Sequence, residues 1–201
     1  MSTNETLFSA AFLMSASPAT VWQHLRQPEL LRRWFGWHGP EFEDEIDGLS
    51  GGFSAVEREG HAVVIGDHRM VLQEVEPGTE LCVSRVGESD EHGIEIDEGW
   101  VTFLEQLRYV INVQPAGARH TFMVPGAPVT DIPWEHDEWA RSTHQRTALV
   151  PAWGQVQVTT VQSAAGGPAS RVVVNGYGRT DDEAAEQHAA VAAWVAASSS
   201  G

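Results

Sequence analysis

The sequence predicts an α+β protein, and three observations carry that prediction. Residues 8–15 and 155–162 place apolar side chains at a period of two, as half-buried strands do. From Asp97 onward, Trp100, Leu104, Leu107 and Ile111 recur at spacings of four, three and four, which is one face of an α-helix. Thr180-Asp181-Asp182-Glu183 is a capping box, in which side chain and backbone at a helix start satisfy each other's orphan groups.

Taken in order, Phe8, Ala10, Phe12 and Met14 form the inner face of a first strand. Ser17 is placed to cap a short helix, and Pro18 stands where its missing N–H costs nothing. Val21, Trp22 and Leu25 make that helix's apolar stripe, and Pro28 interrupts it. Leu30, Leu31, Trp34 and Phe35 make a second stripe, closed by Gly36. Residues 41–47, 52–58, 61–67, 69–76 and 80–86 read as strands, with Gly48, Gly51-Gly52, Gly60 and Pro77-Gly78 as turns. The long helix then runs from Asp97, with Glu105, Gln106 and Arg108 off its apolar stripe. Later, Val156, Val158 and Thr160 alternate along a strand, residues 163–170 turn, and residues 171–177 return. Behind the capping box, Ala184, His188, Val191 and Val195 mark the face of a last helix, with Trp194 alongside.

The run Ser17-Pro18-Ala19-Thr20-Val21-Trp22, continued by Pro28-Glu29-Leu30-Leu31 and Trp34-Phe35, resembles the helix pair of the START/Bet v 1-like (SRPBCC) superfamily. Asp97-Glu98-Gly99-Trp100, with Phe103, Leu104 and Leu107, is similar to the start of its long C-terminal helix. Within that superfamily the subfamily resembled is the one named for the activator of the heat-shock-protein ATPase. The resemblance implies a helix-grip fold, an antiparallel sheet wrapped around a long C-terminal α-helix and enclosing a cavity. Against that pattern, residues 36–97 are about two strands short. The chain therefore divides into residues 1–114, resembling the grip, and residues 115–201. The latter read either as a degenerate second repeat, since their strand–turn–strand–helix order mirrors residues 70–111, or as an extension that completes the sheet.

Composition removes several classes of chemistry. Acids outnumber basic residues 28 to 12, for a net charge of −16, and all the basic residues are arginine. Without lysine there is no Schiff base and no Walker-type phosphate lysine. Beyond Arg32-Arg33 no basic residues cluster, so nucleic acid is not expected as a partner. Cys82 is the sole cysteine and reads as a structural thiol in a strand. A first segment without positive charge is a poor signal peptide, and no apolar run reaches membrane-spanning length. A cytoplasmic protein without membrane insertion is expected, and the lysine-free, alanine- and glycine-rich composition suggests a bacterial source.

Other motifs read as structure. Gly48-Leu49-Ser50-Gly51-Gly52 matches the serine-hydrolase elbow, but strand-like flanks make it a turn. Gly176-Tyr177-Gly178 precedes acidic residues that would repel a pyrophosphate, so it is a cap. Trp134 to Trp139, with His136 and His144, lacks metal-ligand spacing and reads as a solvated helix. His61 and His68, seven apart on a strand, face opposite ways. Glu43 and Glu45 share a strand face and form an acid–base pair only if that face lines a cavity.

What the resemblance implies about function is an internal site for a small hydrophobic or aromatic ligand, with no cofactor and no metal. Trp34, Trp37, Trp100 and Leu104 lie on elements that border the cavity in the resembled fold, and His38, Arg69 and Tyr109 are the polar groups near it. A polyketide cyclase/aromatase-like enzyme and a co-chaperone stimulating a chaperone ATPase are the alternatives. Oligomeric state is not fixed by the sequence, and a homodimer is left open.

Overall fold

The protein is described here from a computed structural model, which covers residues 6–54, 62–86, 91–129, 131–162 and 167–198. It is α+β, with two antiparallel sheets and a C-terminal helix. The chain divides into two compact units, Met1–Phe35 with Pro40–Gly93 and Phe103–Gln114, and Gly36–Gly39 with Ile94–Thr102 and Pro115–Gly201. Among the described residues no helix is long and apolar enough to cross a membrane.

In the first unit, β1 (Thr6–Met14), β4 (Gly78–Val86), β3 (His68–Val75) and β2 (Ala62–Ile65) form one sheet in that order. Register sets Phe12 beside Leu81 and Leu81 beside Leu72, and it aligns Ala10, Val83, Met70 and Val63 in the next row. These rows are the buried face. β1 and β4 come together so closely at Gly78 that a Cβ there would collide with the Met14 carbonyl oxygen. The obstacle is paired backbone, which cannot swing away. Gly78→Ala is therefore expected to destabilise by about 1–3 kcal/mol, read as a fall in melting temperature.

α1 (Pro18–Arg26) and α2 (Pro28–Leu31) follow the sequence expectation. Ser17 Oγ accepts the Thr20 backbone N–H at 3.3 Å, and Val21 and Leu25 are buried. Trp34 is fully buried, donates its indole N–H to the His24 carbonyl at 2.9 Å, and meets Phe35 edge to face.

The expected strands at residues 41–47 and 52–58 are overturned, since Phe42–Ser54 is a helix, α3, and residues 55–61 lie outside the described residues. Phe42, Ile46 and Phe53 are its buried residues. With Leu49 they recur at four, three and four, the same spacing as the long helix, and three acids occupy the first turn where the helix dipole favours them. Gly48, Gly51 and Gly52 mask this pattern, each costing a helix about 1 kcal/mol, but burial of two phenylalanines and an isoleucine outweighs them. Ser50 is consequently neither in an elbow nor in a turn, and its hydroxyl donates to the Arg26 carbonyl at 2.8 Å. Glu43 and Glu45 no longer share a face. Glu43 pairs with Arg32 at 2.7 Å instead.

α4 (Glu91–Val113) begins six residues before the expected Asp97. Phe103–Gln114 belongs with the first unit, where Asn112 accepts the Ser15 N–H at 2.8 Å and donates to the Leu13 carbonyl at 3.2 Å. Glu105 and Gln106, expected off the buried stripe, are 6% and 0% exposed, so this helix is buried well beyond its apolar face.

The second unit holds its own sheet, in the order β5 (Arg119–Gly126), β9 (Pro168–Tyr177), β8 (Gly154–Gln162), β7 (Gln145–Val150) and β6 (Asp137–Arg141). The helix expected at residues 134–139 is instead a loop leading into β6, an edge strand bulged at Trp139. Trp134 packs tilted against Trp153 with centroids 4.0 Å apart and meets Trp194 edge to face at 5.2 Å, which holds the segment against the second unit's core while its acidic side chains stay exposed. α5 (Asp181–Ser198) opens on the expected capping box, with Thr180 N–H to Glu183 Oε2 at 2.8 Å and Glu183 N–H to Thr180 Oγ1 at 3.2 Å.

Candidate functional site

The two faces of the second sheet differ in chemistry. One face carries Val124, Ala148, Val150, Val156, Val158, Val172 and Val174, which pack with Val191 and Val195 of α5 into an apolar core. The other face consists of the alternate residues of the same strands. Register lines up Thr121, Asn175 and Gln155 in one row, then Met123, Val173, Gln157 and Thr147, then Arg171, Thr159 and Gln145. A second face of this kind is ordinarily solvated. Here it is covered: Gln155, Gln157 and Asn175 are 0% exposed and Thr147 only 1%.

The cover includes the first half of α4, whose Ile94–Thr102 segment belongs to this unit. Gln145 Nε2 donates to Thr102 Oγ1 at 2.6 Å and Thr159 Oγ1 at 2.8 Å, and Gln157 Nε2 donates to the Thr102 carbonyl at 2.9 Å. Thr102 in turn donates to the Glu98 carbonyl at 3.0 Å. Because carbonyl oxygens can only accept, these contacts fix which end of each glutamine is the amide nitrogen. At the far end of β5, the Arg119 guanidinium donates to Asn175 Oδ1 at 2.7 Å and to the Gly36 carbonyl at 2.6 Å. Burial lowers its pKa to about 10, with Tyr177 opposing that shift, so it stays protonated at neutral pH. An Arg171–Glu95 ion pair, about a third exposed on each side, marks where the polar face reaches solvent.

Four polar atoms of this face, Thr121 Oγ1, Thr147 Oγ1, Gln145 Oε1 and Gln157 Oε1, and Glu98 Oε2 of the covering segment are buried without a partner among the described residues. Each buried unsatisfied group costs roughly 1–3 kcal/mol. Packing alone would favour valine here, as on the opposite face. Buried polar atoms that the protein does not pair take their hydrogen bonds from ordered water or from a bound molecule.

Glu98 is the titratable member. Burial raises its carboxyl above the ordinary carboxylate range, Asp97 adds to the rise, and His144 opposes it. A carboxyl whose folded pKa exceeds its unfolded value contributes stability at low pH that is lost as pH rises through the folded value. Glu98→Gln, which fixes the uncharged form, is therefore expected to leave stability unchanged below about pH 4 and to raise it at neutral pH. Paired melting curves across pH check this.

The residues expected to line a ligand fall in both units. Trp37, His38 and Trp100 belong to the second, with Trp100 buried, Trp37 half-buried and His38 exposed. Trp34, Arg69, Leu104 and Tyr109 belong to the first, where Arg69 is exposed on β3 and the other three are buried. Sequence reasoning missed Glu98, Thr121, Gln145, Thr147 and Gln157, because a polar alternation in a strand reads as its solvated side. One signal was present. Gln145 to Gln162 contains a single charged residue, Arg146, in a chain with 20% charged residues, and a solvated strand face would carry more.

Two clefts lie apart from this face. One, of about 230 Å³, is lined in the first unit by Ala16, Thr20, His24, Arg33 and Val110 among others. The other, of about 330 Å³, is lined in the second by Trp153, Arg179, Glu183, Glu186 and Gln187 among others.

No family model matches the chain, and no curated protein does. The crystal structure of DynU16, from the dynemicin biosynthetic locus, is similar at 15% identity over 94% of this chain and 95% of that one, with a TM-score of 0.29.

Proposed function

We propose that this chain binds a small organic molecule on the polar face of its second sheet. The observation that carries the reading is that four buried polar atoms of this face, and one carboxyl oxygen of the segment covering it, have no partner among the described residues. On this reading the ligand of the expected hydrophobic or aromatic kind also carries hydrogen-bonding groups, since the buried face offers polar as well as apolar side chains. Val173 and Met123 supply apolar contact between the polar positions, and Trp100, on the covering segment of α4, is the expected lining residue nearest in sequence to Glu98 and Thr102. A second reading, an acid–base enzyme of the cyclase kind, draws on Glu98. It is a buried carboxyl with one oxygen unpaired among the described residues, and burial raises its pKa, a change in the direction a general acid needs.

Ligand-dependent melting against a library of small polar and aromatic compounds tests the reading. A compound at one hundred times its Kd stabilises by about 2.7 kcal/mol, a shift of several degrees for a chain of this size. Hits whose shift disappears in Gln157→Leu support binding at this face. Hits that shift the variant equally place binding elsewhere and sink the proposal.

A further inference from the structure

We propose that the free edge of β1 joins a second copy of this chain, antiparallel strand to strand, so that two four-stranded sheets become one. Edge strands expose unpaired backbone groups, and proteins blunt them with charge, proline, bulges, brevity or a cover. Among the described residues, the edges other than β1 are blunted in those ways. β2 is four residues long, β6 is bulged and carries Asp137, Glu138 and Arg141, and β5 carries Pro125 and packs on α5. β1 runs for nine residues with no charged side chain and no proline.

The hydrogen bonds at the strand's end show which side is free. Asn112 takes the Leu13 carbonyl and the Ser15 N–H, whereas the Met14 carbonyl lies toward Gly78 of β4. Backbone groups alternate along a strand, so Ser9 and Ala11 present theirs on the same side as Leu13, away from β4. Pairing with β4 is regular from Phe8 to Met14, and its one irregularity falls between Thr6 and Phe8. No described residue bonds to the free-edge groups of Ser9 and Ala11, and both residues are exposed. The open stretch therefore lies between that irregularity and the Asn112 plug.

The occupant follows from the strand's own sequence. Leu7-Phe8-Ser9-Ala10-Ala11-Phe12-Leu13 reads nearly the same in both directions about Ala10. A two-fold contact between identical chains pairs a surface with itself, and antiparallel self-pairing needs such a palindrome. Centred on Ala10, it sets Leu7 opposite Leu13, Phe8 opposite Phe12 and Ser9 opposite Ala11 of the second copy. Ser9 and Ala11 then form the bonded pairs, each exchanging two backbone hydrogen bonds, and Ala10 meets its own copy in the closer, non-bonded position, where a small side chain fits. Leu13, 48% exposed, gains an apolar neighbour. Charge agrees: each copy carries −16, and this strip brings no like charges face to face.

Sedimentation velocity of the full-length chain over a wide range of concentration tests this, with two double variants on the exposed side of the edge. Ser9→Lys, Ala11→Lys sets lysine opposite lysine across the joint, and Ser9→Glu, Ala11→Lys sets glutamate opposite lysine. The expected result is a concentration-dependent dimer of the parent, weakened about tenfold in the first variant and restored to within about threefold in the second. The second variant carries one of the same lysines, so its recovery separates loss of the contact from loss of folding. A parent that stays monomeric throughout, or a dimer that the first variant leaves unchanged, overturns the proposal. A second variant that associates no better than the first overturns it too, because pairing centred on Ala10 brings those two positions together.

Discussion

The Thr121→Val, Thr147→Val double variant is expected to melt at a higher temperature than the parent while losing its ligand. Both hydroxyls are buried, on β5 and β7, and neither meets a protein partner. Valine keeps the shape and the β-branching, and it turns an unsatisfied oxygen into a methyl group that suits the buried position. Relief of two such groups is worth roughly 2–6 kcal/mol, at 1–3 each. For a chain near 200 residues each kcal/mol moves the midpoint by about 2–4 °C, so a rise of at least about 4 °C is expected. On the proposed reading, binding weakens in the same variant, because it loses two of the oxygens proposed to meet the ligand. Scanning calorimetry on the double variant decides the matter, and a lower midpoint would mean that the hydroxyls are held by the folded protein itself.

Arg119→Ala should be the most damaging single change on this face. The guanidinium is 8% exposed and bridges Asn175 to the Gly36 carbonyl through charge-assisted contacts of 2.7 and 2.6 Å. Such bonds contribute about 1.5–3 kcal/mol each, so the loss comes to about 3–6 kcal/mol. That is a large fraction of a domain's stability. Arg119→Lys should recover little, since a single ammonium on a flexible stem lacks the planar fork that serves two directions. Denaturant titration of both variants checks the pair. A lysine variant as stable as the parent would show that charge alone, without the fork, is enough.

Much of the backbone was legible. Ser17, Pro18 and Pro28 punctuate the first two helices where expected, and the Thr180–Glu183 box and the 155–162 and 171–177 strands fall in place. These features are local, and local chemistry is what a sequence reports. α3 was not legible, because three glycines and two apparent strands hid a helical stripe whose stability comes from tertiary burial. The helix expected around Trp134 was misread for a related reason. Its Trp134 answers to Trp153 and Trp194, farther along the chain.

The candidate site was the least legible part. Gln155, Gln157 and Thr159 alternate with valines in the pattern of an ordinary half-solvated strand. Whether such a face meets water or protein depends on what covers it, and here the cover comes in part from the Ile94–Thr102 segment of α4. Glu98 is likewise anonymous in a chain with 28 acidic residues, until burial sets it apart.

Native mass spectrometry of the parent chain beside the Thr121→Val, Thr147→Val variant tests the central claim most directly. The expected result is an added noncovalent mass on the freshly purified parent, lost on denaturation and absent from the variant. The same added mass on both proteins at equal occupancy, or none on the parent across repeated preparations, would contradict binding at the polar face.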